Sequence, residues 1–555
     1  MKQARFILTI ALLISFLYSC KDSADLTNAI PAGAVTVIHI DTKSLLTKAD
    51  YKPLENKVIK DALNSAKNNG NSTKVLEQFE EFLKNPNSTG IDLVSDCYIY
   101  MDSITMGIVL KMNDAKKFSD LLTKTFEIPE QMLVEKDGIT TIDIQRNVNI
   151  GWTKDKILLL TYSGYSYMLG TSALPDLDAL LKKQLTQSEK ESINAKKTFA
   201  DFISNKKDVS IYYSYDNVFG MWATAVNPAL SMYGGRDGKA VESIISGLQS
   251  QFKGVNMGAF ISFDKGEVTL NNKMYYDSPE AEKNFADLAS QLSGELKGDQ
   301  LKYFAEKPVF AASANMNGEG VYNYLSQLGM IALIEKNAGS NLETMGIDLK
   351  SLISNINGDI TVALNNVKTV KRKSAYSNYE YTDSYPELTF MADLKDANST
   401  WDFIKGKVKE ANGEFNVITE VNANTYSFSM YDGVTGYFGI NNNMLFFTNR
   451  TDVLENLSAG DLKNEFSSQA KGNTAFIFGN LNPLQPMLLD EIGNDAKAQE
   501  FATKGLALIG DYSYASMPDM NGKGKIVITD TSGNSLAVIC KFIDSVVTYA
   551  VQQNM

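Results

Sequence analysis

Long-range self-similarity limits what this chain can fold into more than any other feature, because a repeated order of elements calls for a repeated architecture. The stretch "STGIDLVSDCYIYMD" (88–102) is echoed by "TMGIDLKSLISNINGDITVAL" (344–364), and the two share Gly-Ile-Asp-Leu at 90–93 and 346–349. A strand and an Asp-Ala-initiated helix follow each copy, "GIVLKMNDAKKFSDLLTK" (107–124) against "LTFMADLKDANSTWDFIKGK" (388–407). Asp114 and Asp396 fall at the helix starts, where a carboxylate accepts the unpaired amide hydrogens of the first turn. A hairpin comes next in both, "NIGWTKDKILLLTYS" (149–163) against "GYFGINNNMLFFTNR" (436–450), with polar residues at the turns. Shorter units then repeat as strand then helix, 208–226 against 473–492, and as strand, turn and helix, 267–292 against 525–547.

The expected architecture is therefore α+β in two duplicated halves, each with largely antiparallel sheets and helices packed on one face. The first half is expected over 30–300, as a long unit (30–181), a polar helical bridge (182–207) and a short unit (208–300). The second is expected over 301–555, as a long unit (301–460) and a short one (461–555). Alternation in Val35-Thr36-Val37-Ile38-His39-Ile40 predicts a strand with one buried face, and three- and four-residue apolar spacing predicts helices over 114–124 and 280–292.

Residues 1–19 read as an export signal: Lys2 and Arg5 form a basic start, Phe6 to Tyr18 an apolar run, and Ser19 precedes Cys20. Leu17-Tyr18-Ser19-Cys20 resembles a bacterial lipobox, which makes Cys20 the expected lipid attachment site and 20–29 a polar tether. Acyl chains contribute about 0.8 kcal/mol per buried methylene, so a multiply acylated cysteine anchors firmly. The expected location is the cell envelope, as an outer-membrane lipoprotein facing the periplasm or the exterior. No later run of eighteen apolar residues follows that would form a transmembrane helix.

Loss of Lys2 and Arg5 with the signal takes the formal charge from −12 to −14, which argues against nucleic acid as a partner and leaves glycans, peptides or envelope proteins. Cys97 and Cys540, in the apolar contexts CYIYM and LAVICKFI, read as buried free thiols.

Chemistry is sparse. The one histidine, His39, shares a strand face with Val35 and Val37 and reads as a core residue; with no second histidine and no cysteine cluster, no metal and no cofactor is expected. No Gly-x-Ser-x-Gly elbow is present to support a catalytic serine. Ser204 with Lys207 and Ser468 with Lys471 match Ser-x-x-Lys, but both sit where lysines complement a helix C-terminus. Asp92 and Asp348, equivalent in the two copies, read as capping or turn residues, and "DMNGKG" (519–524) as a hairpin turn.

The candidate binding surface is an insertion in the second half, "VKTVKRKSAYSNYEYTDSYPE" (367–387). There Lys371, Arg372 and Lys373 (with Lys368) precede Tyr376, Tyr379, Tyr381 and Tyr385. Tyrosine faces suit sugars or docked peptides, and the cations suit an acidic partner. The leading functional expectation is non-enzymatic binding or assembly; the competing one is a carboxylate-dependent hydrolase with its site between the halves.

Together the lipobox, the "IPAGAVTVIHID" opening (30–41), the recurrent Gly-Ile-Asp-Leu and the two-half layout resemble a family of uncharacterised Bacteroidetes lipoproteins of about five hundred residues, grouped as a domain of unknown function. That resemblance covers nearly the whole mature chain, implies an envelope location and assigns no catalytic residue.

Overall fold

The computed structural model describes residues 26–50, 52, 55–56, 59–60, 73–145, 147–164, 166, 174–232, 236–373, 380–415, 418–431, 433–459 and 465–553. The export signal and Cys20 lie outside them. The chain forms two compact units, the first from Met1–Glu282 together with Asp530–Met555, the second from Lys283–Thr529. The class is α+β, with antiparallel sheet throughout, as expected. Among the described residues no helix is long and apolar enough to cross a membrane.

The first unit contains strands β1 (Thr36–Ile40), β2 (Ile91–Asp92), β3 (Cys97–Met101), β4 (Thr105–Met112), β5 (Val134–Lys136), β6 (Ile139–Gln145), β7 (Val148–Trp152), β8 (Lys156–Tyr162), β9 (Val209–Ser214), β10 (Val255–Asp264) and β11 (Glu267–Tyr276). Their spatial order is β11-β10-β9-β1-β3-β4-β8-β7-β6-β5, every pair antiparallel. β2 adds a short pairing to the end of β4, Ile91 opposite Met112. Successive strand side chains alternate between faces. Tyr98, Tyr100, Val109, Leu158 and Leu160 accordingly line one core, with Leu181 and Leu185 of helix Leu177–Thr186 and Phe199 and Phe202 of helix Lys197–Ile203. Cys97, Leu110, Met112, Ile150, Trp152 and Ile157 line a second core on the other face, with Phe118 of helix Ala115–Asp120 and Leu121 and Leu122 of the π-helical turn Leu121–Thr125. Helix Thr73–Lys84 closes this second core: Phe82 packs against it and Leu83 is buried.

The second unit contains β12 (Phe310–Asn317), β13 (Ile356–Lys373), β14 (Glu380–Leu394), β15 (Ile418–Asn422), β16 (Thr425–Tyr431), β17 (Val434–Asn441), β18 (Met444–Thr448), β19 (Ala475–Gly479), β20 (Ile509–Ser516) and β21 (Gly522–Ile528). The order here is β21-β20-β19-β12-β13-β14-β18-β17-β16-β15, again antiparallel. Counted along the chain from β1 and from β12, with the two-residue β2 set aside, the order of pairings is the same in the two units. One face carries Met391 and Phe446 under Val453 and Leu457 of helix Thr451–Ala459. The opposite face carries Leu394 with Ala397, Trp401 and Val408 of helix Ala397–Phe415.

Four expectations need correction. Helices cover both faces of the sheet in each unit, because β3, β4, β7 and β8, and likewise β14 and β18, are apolar on both sides, and an apolar face left bare costs burial energy. The division falls after Glu282 rather than at 300, and 530–555 returns to the first unit, where Asn534 Nδ2 donates to Phe263 O at 2.9 Å. Residues 182–207 are no polar bridge: Leu185, Ile193, Phe199 and Phe202 are core, and the segment breaks into short helices. The tether stops short of 29, since Leu26–Ala29 forms a 3₁₀ turn with Leu26 and Ala29 buried.

Candidate functional site: an apolar groove on the second unit

A cavity of about 740 Å³ opens on the face of the second sheet that carries helix Ala397–Phe415. Its floor is Phe390, Ala392 and Leu394 of β14 with Leu445 of β18; Ile347, Leu352 and Ile356 form one wall, Phe403 and Ile404 the other. Of the lining residues, Leu352 and Phe403 are exposed by 52% and 41%, so large apolar side chains face water at the opening, and Met345, next in the chain to Gly346 of the lining, is exposed by 54%. Contiguous apolar surface of this kind marks binding sites more often than isolated exposed residues do.

Local hydrogen bonding fixes the groove's ends. Gly346 takes a left-handed φ of 69°, turning the chain so that Asp348 caps helix Leu349–Asn355, with the Ser351 amide donating to Asp348 Oδ2 at 2.9 Å. Hydrogen bonds from the Ser351 hydroxyl and amide hold the Asp348 carboxyl below its ordinary range. Asp396 caps the other helix through the Ser399 amide, also 2.9 Å. Asn355 ties the two together: its Nδ2 donates to Asp396 O (3.1 Å) and Thr400 Oγ1 (2.7 Å), while its Oδ1 accepts from the Asp396 amide (2.9 Å).

The expected basic and tyrosine-rich insertion is a two-stranded ribbon. β12 pairs with β13 only as far as Leu364, and β18 pairs with β14 only from Thr389, so 366–373 and 380–387 pair with each other alone. Register splits the expected cluster. Lys368 lies opposite Tyr385 and Arg372 opposite Tyr381 on one face; Lys371, opposite Thr382, and Lys373, opposite Glu380, are on the other. Lys368 pairs with Glu387 at 2.6 Å and Arg372 with Asp383 at 3.0 Å, so part of the positive charge is neutralised within the ribbon. Tyr385 is half-buried. Tyr376, Tyr379 and the side chain of Tyr381 lie outside the described residues.

The remaining polar candidates serve the fold. His39 is fully buried, with Nε2 3.3 Å from Asp96 Oδ1. Burial pushes the Asp96 carboxyl up, but His39 and Lys206 outweigh that and bring it down to about 2. Cys97 and Cys540 are free thiols, and burial raises Cys97 to about 12. Asp92 accepts from the Ser95 hydroxyl at 2.8 Å and the Ser95 amide at 3.2 Å, a turn role. Ser204 and Ser468 donate to the carbonyls of Asp201 and Glu465. The turn 519–521 joins β20 to β21, with the Asn521 amide on Asp519 Oδ1. Asp359 is buried, and desolvation pushes its carboxyl up; the Lys297 and Gly298 amides and Asn315 Nδ2 donate to it, each at 2.9 Å at closest. Among the described residues, no group of three or more His, Cys, Asp or Glu is placed to hold a metal ion.

Residues 26–536 match the family described as a domain of unknown function, DUF4836. The chain belongs to that family. No curated protein matches it. Among solved structures, crystal form IV of TP0453 is similar at 8% identity over 45% of this chain and 81% of that one, with a TM-score of 0.19, too slight a likeness to carry an argument.

Sequence reasoning found the ribbon and missed the groove. Its lining combines residues from 346–356, β14, β18 and the helix after Asp396, and no local pattern reports the space left between them. The recurrent Gly-Ile-Asp-Leu was a pointer, since Gly346, Ile347 and Asp348 line the opening.

Proposed function

We propose that this protein is a lipid-anchored component of the cell envelope that acts by binding rather than by catalysis, built from two copies of one α+β plan, with the groove of the second copy as its ligand site. The groove carries this reading: a DUF4836 chain that leaves Leu352 and Phe403 in water on the lining of an apolar cavity has a surface suited to an apolar partner. The shared order of strand pairings supports the duplication, and Leu17-Tyr18-Ser19-Cys20 supports the anchor. The ribbon, with Lys371, Arg372, Lys373 and Tyr385, adds a second surface for a glycan or an envelope protein.

Two measurements test this. A Cys20→Ser variant is expected to leave the membrane fraction; membrane association equal to wild type refutes the anchor. An environment-sensitive apolar dye is expected to titrate one saturable site in the wild type, and Leu352→Glu and Phe403→Glu to remove it; equal titration by all three refutes the groove. Hydrolysis by a carboxylate pair finds no comparable support, since the buried acid Asp359 is already engaged by two amides and an asparagine.

A further inference from the structure

The first unit covers a surface that the second leaves open, for helix Met330–Thr344, which precedes Gly346 as Thr73–Lys84 precedes Gly90, contributes no residue to the groove lining. Asp114 and Asp396 cap corresponding helices in the same way, through the amide three residues on, and align the two units residue by residue around that point. On this alignment Leu110, Met112, Phe118, Leu121 and Leu122 correspond to Ala392, Leu394, Thr400, Phe403 and Ile404. All five in the first unit are core, Phe118 at 5% and Leu122 at 3% exposure. All five in the second line the groove, and Phe403 is 41% exposed. The change from Leu110 to Ala392 and from Phe118 to Thr400 removes side-chain volume at two of these positions; Phe403 is larger than its counterpart Leu121, but it stands 41% exposed at the rim instead of filling the space.

What covers this surface in the first unit is helix Thr73–Lys84, which packs against the turn Leu121–Thr125, the counterpart of the Phe403 wall. Its sequence, TKVLEQFEEFLK, places Val75, Leu76, Phe79, Phe82 and Leu83 at the spacing of one helical face, with Glu77, Glu80 and Glu81 between them. The Gly-Ile-Asp-Leu segments show the same difference. Ile91 and Leu93 are buried in the first unit, whereas Ile347 stays half-exposed beside the open groove in the second.

We propose that the groove of the second unit receives an amphipathic α-helix presented by a partner protein, with leucine and phenylalanine on its apolar face, in the place that Thr73–Lys84 holds in the first unit. This rests on the binding reading above and names the partner's chemistry. Insertion of such a helix buries Leu352 and Phe403 and lays its i, i+4 and i+7 anchors on Ala392 and Leu394, the usual mode of helix-in-groove recognition.

The test uses the full mature chain carrying Cys20→Ser and a fluorescent peptide of sequence TKVLEQFEEFLK, made helical by an i,i+4 lactam because a free twelve-residue peptide does not hold a helix in water. Anisotropy is expected to show saturable binding that weakens about ten-fold or more with Leu352→Glu, Phe403→Glu or the groove-filling Ala392→Leu, and that is lost when Phe79 and Phe82 of the peptide become serine. Binding equal in wild type and groove variants, or no saturation up to about 1 mM peptide, overturns the proposal. Dye binding at the groove without peptide binding refutes the helix and leaves the binding reading intact. Failure of both refutes that reading as well.

Discussion

Replacing Phe118 by alanine removes the side chain on which the second core of the first unit closes. Its ring stands edge-on to Trp152, centroids 5.0 Å apart at 88°, and only 5% of the residue is exposed. Phe→Ala at so buried a position costs about 3–5 kcal/mol, as lost transfer energy plus the cavity left behind. With a urea slope of about 3 kcal/mol/M, a loss of about 4 kcal/mol lowers the unfolding midpoint by about 1.3 M. The three tryptophans separate the units, Trp152 and Trp222 reporting on the first and Trp401 on the second. The shift is expected in the Trp152 signal, with Trp401 kept as the single tryptophan in a second background to follow its own unit. A cut within Thr73–Lys84 under limited proteolysis is expected to accompany it, because that helix loses part of its seat. A midpoint change below about 0.3 M in the Trp152 signal would refute the view that this core supports the face-covering helix.

Other expectations concern buried charge and backbone. Asp208 accepts from the Ser44 hydroxyl (2.6 Å), Lys48 (2.7 Å) and the Phe263 amide (2.7 Å), so Asp208→Ala is expected to cost about 3 kcal/mol in chemical denaturation of the first unit, and a loss under 1 kcal/mol would show the cluster to be dispensable. Asp96 lies at about 2 in the folded state against an ordinary 3.8, so its contribution of about 2 kcal/mol is complete above about pH 4 and is lost as the pH falls toward 2. Asp102 and Asp359, raised by burial, titrate with the opposite sign. Asp96→Asn is therefore expected to flatten the acid limb of the denaturation midpoint against pH, and an unchanged limb would remove Asp96 from the account. Gly298 has a φ of 75° and a Cβ built there would sit 2.4 Å from Ser467 O, so Gly298→Ala is expected to destabilise the second unit by more than about 1 kcal/mol, read from the Trp401 midpoint.

Much of the chain's local order is legible in the sequence. The hairpins within 149–163 and 436–450 follow from alternation and polar turns, and they form as β7–β8 and β17–β18. Asp114, Asp348 and Asp396 cap as their positions predict. What fails is anything set by distant partners. Both-face burial of β4 escapes a reading based on alternation, because Val109 and Leu110 are adjacent apolar residues that serve opposite cores. Return of the last helix, Ser535–Gln553, to the first unit depends on packing against helix Thr42–Ala49, nearly five hundred residues away, which no periodicity encodes. The basic and aromatic insertion is found as a unit by composition, but only the register shows that its cations divide between two faces.

Two identical tetrapeptides with different surroundings show why the groove could not be read from its own residues. At 90–93 the glycine is pressed against its neighbours: a Cβ there would lie 2.4 Å from Asp114 O, and Ile91 pairs with Met112 as a buried strand. At 346–349 a Cβ on the glycine would meet only the Lys407 and Phe403 side chains, at an ordinary contact distance of 3.9 Å, and the aspartate starts a helix instead. The tetrapeptide supplies a turn and a carboxylate in both places; the facing residues, Phe118 and Leu110 or Thr400 and Ala392, determine whether it closes a core. Collapse cannot fill the second site, since Asn355, Asp348 and Asp396 bind the ends of both walls through directional hydrogen bonds that a shift of an ångström would break. An apolar surface held open in this way keeps its unfavourable hydration while it stays uncovered, and that cost, rather than any single side chain, is the physical ground for the proposal that a helix seats in the groove.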